Sequence, residues 1–351
     1  METDEAQAAI AQAARILRSG GLVALPTETV YGLGANALDA AAVARIFAAK
    51  QRPSWDPVIV HIAGPAHQNP MLEQLVTTYP PVVRDLMEAF WPGPLTLLLP
   101  RTSAVPDIVT AGRPLVGIRM PAHPVAFEVI LQAGVPIAAP SANAFSHISP
   151  TTAAHVLEDL DGKIDAVVDA GPTRHGVEST VLDPTQSPMI IYRPGAITLP
   201  QIRQVGGPAD SFEERSLSTQ TVRESLPSPG VGLRHYAPRA RLILVEGTLS
   251  ELPGRLTEAV KLHATQRVGV MLPTELASIN IGEPLRPAAK YPWGHWKAPE
   301  ELAEKLYAGL RQLDAQGCDV ILCPIPGAGG IGEAIRDRLR KAAFRKTESG
   351  A

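Results

Sequence analysis

Two cysteines, Cys318 and Cys323, are all that 351 residues contain. Their spacing matches neither a zinc pair nor a CxxC redox pair, so both are expected as reduced core residues. A surplus of positive charge is missing too: Lys and Arg number 32 against 35 Asp and Glu, and the net charge is -3. No global basic field therefore draws the chain to nucleic acid or an anionic membrane, and any basic site has to be local. No apolar run approaches the roughly 18 residues of a membrane span. The acidic opening Met1-Glu2-Thr3-Asp4-Glu5 is the reverse of a signal peptide's basic start. These absences lead to the expectation of a soluble, cytoplasmic protein with no membrane partner. The chain also lacks a Walker sequence, so ATP binding of the P-loop type is excluded, and it lacks internal repeats.

What is present is organised around Gly20-Gly21-Leu22-Val23-Ala24-Leu25-Pro26-Thr27-Glu28-Thr29-Val30-Tyr31-Gly32-Leu33-Gly34. Four apolar residues between glycines and a proline predict a short buried strand that stops at Pro26 and delivers threonines and a tyrosine into a turn. Thr27 and Tyr31 fit either a pocket wall or support for that turn. A helix N-capped by Asp39 follows and ends near Lys50, with Arg52 two residues on. A polar turn and a cationic turn thus predict a pocket for a small polar substrate beside a phosphate.

The length favours two domains. In order, the pattern predicts an amphipathic helix before Gly20, strands at 22–25, 57–62, 95–99, 116–121 and 136–139, and strands near 166–169, 179–183 and 189–193. Helices are expected around 69–78, 81–90 and 124–133. Thr198-Leu199-Pro200-Gln201 has capping-box spacing for one more. Strands interleaved with helices and then following one another predict a mixed α/β sheet over residues 1–205. Residues 206–239 read as a linker and possible active-site lid, because a structureless connection of this length tends to be disordered or functional. Residues 240–351 read as a smaller, Rossmann-like α/β domain with strands at 242–246, 268–272 and 319–323 and helices at 299–316 and 332–344.

Gly327-Ala328-Gly329-Gly330-Ile331-Gly332 fits the GxGxxG pattern formally, but the second strand with its acidic residue about twenty positions on is missing. A structural turn is the favoured reading. The basic helix carrying Arg336, Arg338, Arg340 and Lys341 is diluted by Glu333 and Asp337, with no interleaved stacking aromatic except Phe344, and reads as a solvated face. Lys50, Arg52, Arg119, Arg193 and Arg234 each end a predicted element beside Pro or Gly. With Ser141 and Asn143 they suggest convergence on a polyanion. His61, on an apolar strand, is either a satisfied core histidine or a pocket residue. The histidines show no recurring ligand spacing, so no metal site is assigned to protein side chains.

The set Pro26-Thr27-Glu28-Thr29-Val30-Tyr31-Gly32-Leu33, Lys50-Gln51-Arg52-Pro53, Pro92-Gly93-Pro94-Leu95-Thr96, Pro140-Ser141-Ala142-Asn143 and Glu178-Ser179-Thr180-Val181 closely resembles the YrdC-like domain. With Ser228-Pro229-Gly230 and Arg234-His235-Tyr236-Ala237-Pro238, nearly the whole chain is similar to the long two-domain form of the L-threonylcarbamoyl-AMP synthase family. That resemblance implies a nucleotidyltransferase that joins L-threonine, bicarbonate and ATP, with magnesium accompanying ATP, for tRNA modification. A downstream tRNA threonylcarbamoyl transferase would be its partner. By the same resemblance, the threonine pocket would be Thr29, His61, Arg119, Ala139 and Ser179, with Lys50, Arg52, Ser141 and Asn143 catalytic. ATP would meet Arg52, Asp56, Ser141, Ser149, Arg193, Ser228 and Arg234, under a lid carrying His235 and Tyr236. Asp56 stands where the family usually has Asn, which would set a carboxylate beside the nucleotide and work against an ATP contact there unless it faces a metal or solvent. Leu115 and Val231-Gly232-Leu233 also depart from the pattern. The alternative is an RNA-binding YrdC-like module without synthase activity.

Overall fold

The computed structural model describes residues 3–65, 68–212, 235–278 and 289–344. It divides into two units: Met1–Phe145 with Ser149–Val231, and Ser146–Ile148 with Gly232–Ala351.

In the first unit, helix α1 (Asp4–Arg18) starts at Thr3, whose hydroxyl accepts from Ala6 N, and buries Ile10, Ala13, Ala14 and Leu17. The next elements are β1 (Val23–Leu25), β2 (Gly32–Asn36), α2 (Ala40–Lys50), β3 (Ile59–His61), α3 (Pro70–Leu75), α4 (Val82–Phe90), β4 (Leu95–Pro100), α5 (Asp107–Thr110) and β5 (Leu115–Arg119). They continue with α6 (Pro124–Ala133), β6 (Ile137–Ala138), α7 (Ala153–Leu160), β7 (Ala166–Val167), β8 (Thr180–Asp183), β9 (Met189–Arg193), α8 (Leu199–Gly206) and β10 (Ala209–Ser211).

The ten strands form one sheet in the order β10-β9-β8-β4-β5-β3-β6-β2-β1-β7. It is mixed: β3 runs parallel to β5 but antiparallel to β6, and β4 is antiparallel to β5 but parallel to β8. Its central strands are covered on both faces, which is why β1, β4 and β5 are buried and largely apolar. Val23 and Leu25 pack with residues of α1 and α6, while Leu22 and Ala24 face the larger cluster that includes residues of α2, α4 and α7. The mixed α/β expectation holds, as does the capping box: Thr198 and Gln201 bond reciprocally.

Two local expectations are corrected. The turn after Pro26 does not extend to Gly34, because Gly32–Asn36 is strand β2, paired antiparallel with both β1 and β6. Its glycines hide the strand in sequence yet are required by packing: a Cβ on Gly34 would lie 2.9 Å from Ile137 Cγ2. Nor is 206–212 linker, since β10 pairs in parallel with β9 at the sheet edge.

The second unit holds β11 (Arg241–Val245), α9 (Leu252–Leu262), β12 (Val268–Pro273), β13 (Ala289–Gly294), α10 (Pro299–Ala315), β14 (Val320–Pro324) and α11 (Gly332–Ala343). The sheet is all parallel, ordered β11-β14-β12-β13. Both cysteines are buried and free. Gly332 closes the glycine-rich turn, because a Cβ there would lie 2.1 Å from Gly327 O. The solvated reading of α11 is corrected at two positions: Arg338 and Lys341 are buried, each paired with Asp337. Arg338 also lies over the ring of Tyr236, which stacks on Tyr307 with centroids 5.8 Å apart. A guanidinium neutralised by a neighbour and covered by an aromatic face can be buried, and sequence alone does not show that cover.

Candidate functional site

Adjacent strand ends place the polar residues. His61 closes β3 and Arg119 closes β5, and the two are register partners. Ala139 follows β6, with its N–H donating to Ile59 O at 2.8 Å. Ser179 immediately precedes β8, and Arg193 closes β9. The segment after β6 is laced to the opening turn: Leu33 N donates to Pro140 O at 2.7 Å and Ala142 N to Tyr31 O at 2.8 Å. Tyr31 is a support for that turn, since its hydroxyl donates to Gly171 O at 2.8 Å and its side chain is fully buried.

Arg119 is gripped at three of its nitrogens. Nη2 meets Glu28 Oε1 at 2.6 Å, Nη1 donates to Thr29 Oγ1 at 3.0 Å, and Nε donates to Gly93 O at 3.3 Å. The other oxygen of Glu28 accepts from Ala122 N at 3.1 Å. Burial pushes the Glu28 carboxyl up, but the Arg119 charge and these hydrogen bonds outweigh it and hold the group below the usual carboxylate range. Thr29 Oγ1 lies 2.8 Å from Thr27 Oγ1, which itself donates to Val30 O at 2.6 Å. His61 is buried and, with Arg119 adding to the effect, is pulled down to about 3, so it is a neutral imidazole. Its Nδ1 has no hydrogen-bond partner. Ser179 Oγ lies 2.8 Å from Thr96 Oγ1 and accepts from Arg193 Nη2 at 3.0 Å.

A second group forms around Lys50 and Arg52. Helix α2 ends at Gln51 in the left-handed region, with φ 54, which turns the chain back towards Arg52. Lys50 is almost wholly buried and donates to Ser141 O at 2.5 Å and to Asn143 O. Arg52 pairs with Asp56 at 2.9 Å and donates to Pro57 O at 2.7 Å. Ser149 Oγ donates to Glu178 Oε1 at 2.5 Å.

Asp56 does not face solvent. It is fully buried and faces Arg52. Burial raises its pKa against the pull of Arg52, Lys50 and Arg193. The expected convergence of the cations divides in the structure: Arg119 bonds Glu28 and Thr29, Arg193 bonds Ser179, Arg52 pairs with Asp56, and Lys50 donates to the carbonyls of Ser141 and Asn143. Ser228 and Arg234 lie outside the described residues. Of the expected lid, His235 and Tyr236 are described, the latter buried with φ 62.

Glu28, Thr96 and Glu178 lie inside the motifs but carry no role in the sequence reading. Their signal was available, since each is a polar residue inside a stretch that otherwise reads as buried. Among the described residues, no three His, Cys, Asp or Glu gather as metal ligands, and no helix is long and apolar enough to cross a membrane.

Residues 15–195 match the Sua5_yciO_yrdC family model, described as telomere recombination, and residues 197–344 match the threonylcarbamoyl-AMP synthase C-terminal domain. The threonylcarbamoyl-AMP synthase of Pyrococcus abyssi is 42% identical over 94% of this chain and 93% of its own length. That of Bacillus subtilis is 44% identical over 95% and 92%. A Schizosaccharomyces pombe synthase is 38% identical over 97% and 89%. The crystal structure of P. abyssi Sua5 complexed with L-threonine superposes with a TM-score of 0.85 at 42% identity, covering 95% of this chain and 94% of that one.

Proposed function

The chain belongs to the threonylcarbamoyl-AMP synthase family, and from that premise we propose how its own residues carry the reaction. The enzyme condenses L-threonine, bicarbonate and ATP into threonylcarbamoyl-AMP and pyrophosphate, and the product serves threonylcarbamoyl-adenosine modification of tRNA through a downstream transferase. The supporting observation is the division of the site's groups: Arg119 closed against Glu28 beside Thr29 and His61 on one side, and Lys50 with the Arg52–Asp56 pair on the other.

In this reading Arg119 forks the threonine carboxylate through the N–H groups that remain on its terminal nitrogens, because three of its five are already engaged. His61, neutral and with an open ring nitrogen, meets the substrate's polar groups, and Thr29, Ala139 and Ser179 complete the wall. The threonine amine, in its unprotonated form, attacks the bicarbonate carbon and water leaves to give a carbamate, whose oxygen then attacks the α-phosphate of ATP and expels pyrophosphate. Little acid or base work falls to the protein, and its tasks are alignment and charge neutralisation. Lys50, Arg52 and Arg193 neutralise the phosphates, and Ser141, Asn143 and Ser149 position them. Asp56 holds Arg52 in place, and His235 and Tyr236 belong to the segment that would close over the adenylate. Magnesium enters this reading with ATP, since such an ion is held mainly by substrate phosphates and water. It would travel on the phosphates, and the steps assigned to the protein do not run through it.

The test is pyrophosphate release with mass detection of the adenylate from ATP, bicarbonate and L-threonine. Release that requires all three supports the reading. Tight, steeply salt-dependent tRNA binding with no adenylate formed would replace it with the RNA-binding alternative.

A further inference from the structure

Ser149 and Glu178 are both buried, and the serine hydroxyl donates to the carboxylate at 2.5 Å. With that hydrogen engaged, the group Ser149 can offer an anion is its backbone N–H. Among the described residues no acceptor meets this N–H. A buried N–H without a partner is rare and marks a place where a ligand supplies the acceptor.

The direction of the N–H is set by the residue before it. A peptide group is planar, and in the trans form its C=O and N–H point opposite ways, so whatever holds Ile148 O also aims Ser149 N–H. Arg311 holds it: this buried residue of α10 donates from Nη2 to Ile148 O at 2.5 Å, across 163 positions of sequence. Ser146 to Ile148 count with the second unit, and their other end is held there too. Tyr307, one turn before Arg311 on the same face of α10, stacks on Tyr236. The next residue, Ala237, donates from its N to Ser146 O at 2.9 Å. Ser146 has φ 65, a left-handed conformation that costs a serine energy and persists only where the surroundings impose it. One helix face therefore fixes both ends of the tripeptide that leads into Ser149.

We propose that Arg311 is a positioning residue for ATP, which by holding the Ile148 carbonyl turns the Ser149 N–H towards a phosphate oxygen. The second unit thereby takes a part in the reaction. The proposal rests on the assignment of Ser149 to the nucleotide side.

Pyrophosphate release measures kcat and the KM for ATP, and equilibrium dialysis measures L-threonine affinity, on the full chain and on Arg311→Ala and Arg311→Lys, with thermal melting to confirm folding. Arg311→Ala is expected to raise the KM for ATP at least about tenfold, while threonine affinity stays within about twofold. Arg311→Lys keeps one charged donor and should lie within about threefold of wild type. Arg311 lines a cavity of about 200 Å³ with Ile148, Ala237 and Arg239. Guanidinium ion at low millimolar concentration, against sodium chloride as the control, should therefore lower the KM of Arg311→Ala and leave the wild type unchanged. An unchanged KM for ATP in folded Arg311→Ala, a parallel fall in threonine affinity, or a raised KM that neither lysine nor guanidinium lowers overturns the proposal and leaves Arg311 a packing residue. Should Arg311→Ala fail to fold, Arg311→Gln, shorter and uncharged, takes its place under the same criteria. A wild-type chain that releases no pyrophosphate overturns the functional reading itself, so the two failures are distinguishable.

Discussion

Lys50→Met isolates the contribution of one buried charge. The substitution keeps the length of the side chain and removes an ammonium that is 1% exposed and donates to the carbonyls of Ser141 and Asn143. Each carbonyl loses a charged donor worth about 1.5–3 kcal/mol, or about 3–6 kcal/mol for the two. Burying the ammonium cost several kcal/mol, and its removal recovers much of that, which leaves a net destabilisation of about 1–3 kcal/mol. For a unit of this size that lowers Tm by about 2–10 °C, so the variant remains folded at 25 °C. Catalysis suffers more. Withdrawing one preorganised charge from a site of phosphoryl transfer costs about 3–4 kcal/mol, or roughly a hundred- to a thousandfold in kcat/KM for ATP. Pyrophosphate release measures the second quantity, urea unfolding the first, and dialysis against L-threonine should show affinity changed by less than about threefold. ATP turnover near the wild-type rate, or threonine affinity falling in step with it, would refute the assignment of Lys50 to the phosphates.

Gly195→Ala should destabilise the first unit by about 1–3 kcal/mol through overpacking, because the new Cβ would lie 2.3 Å from Thr180 N and 2.6 Å from Glu178 O. A urea midpoint equal to wild type would contradict that close approach, and reduced threonine affinity should accompany the loss because Ser179 lies between those contacts. Acid should weaken the fold in a defined window. His61 is neutral in the native chain down to about pH 3, whereas the unfolded chain protonates it near pH 6.5. Stability therefore falls as pH drops from about 6.5, by roughly 2–3 kcal/mol at pH 4.5. His61→Leu should lose correspondingly less across that interval in urea titrations, and an identical slope in both proteins would exclude His61 as the source. The Glu28 contribution lies lower: its carboxyl is held below the usual range, so that stability is present above about pH 4.5 and is lost as pH falls through its native value.

Much of the site was legible because its residues sit where elements end. Lys50 closes α2, Arg119 closes β5 and Arg193 closes β9, and Gly or Pro nearby marks those ends in the sequence. The parts that escaped depend on pairing across the chain. Strand β2 is Gly-Leu-Gly-Ala-Asn, whose weak strand propensity is overridden by β1 and β6 on its two sides. Strand β10 is short and polar because it lies on a sheet edge. In the second unit, α9 contains Pro253 and Gly254, and β13 contains Pro292, so neither announces itself by pattern. Glu28 and Arg119 stand 91 positions apart, and nothing short of the fold discloses that one buried charge answers the other. Arg338 and Lys341 make the same point, since a run of cations reads as a wet face until Asp337 and Tyr236 are placed.

The hydroxyls beneath Arg119 carry a direction. Thr27 has a single hydroxyl hydrogen, and its 2.6 Å contact with Val30 O claims it. The hydrogen in the 2.8 Å contact between the two threonines must then come from Thr29. Thr29 in turn accepts from Arg119 Nη1. Arginine, Thr29, Thr27 and the Val30 carbonyl thus form a one-way relay of donors, anchored at one end by a group that can only give and at the other by one that can only take. The hydroxyl of Thr29 has spent its proton and one lone pair, so any molecule that touches it must bring the hydrogen itself.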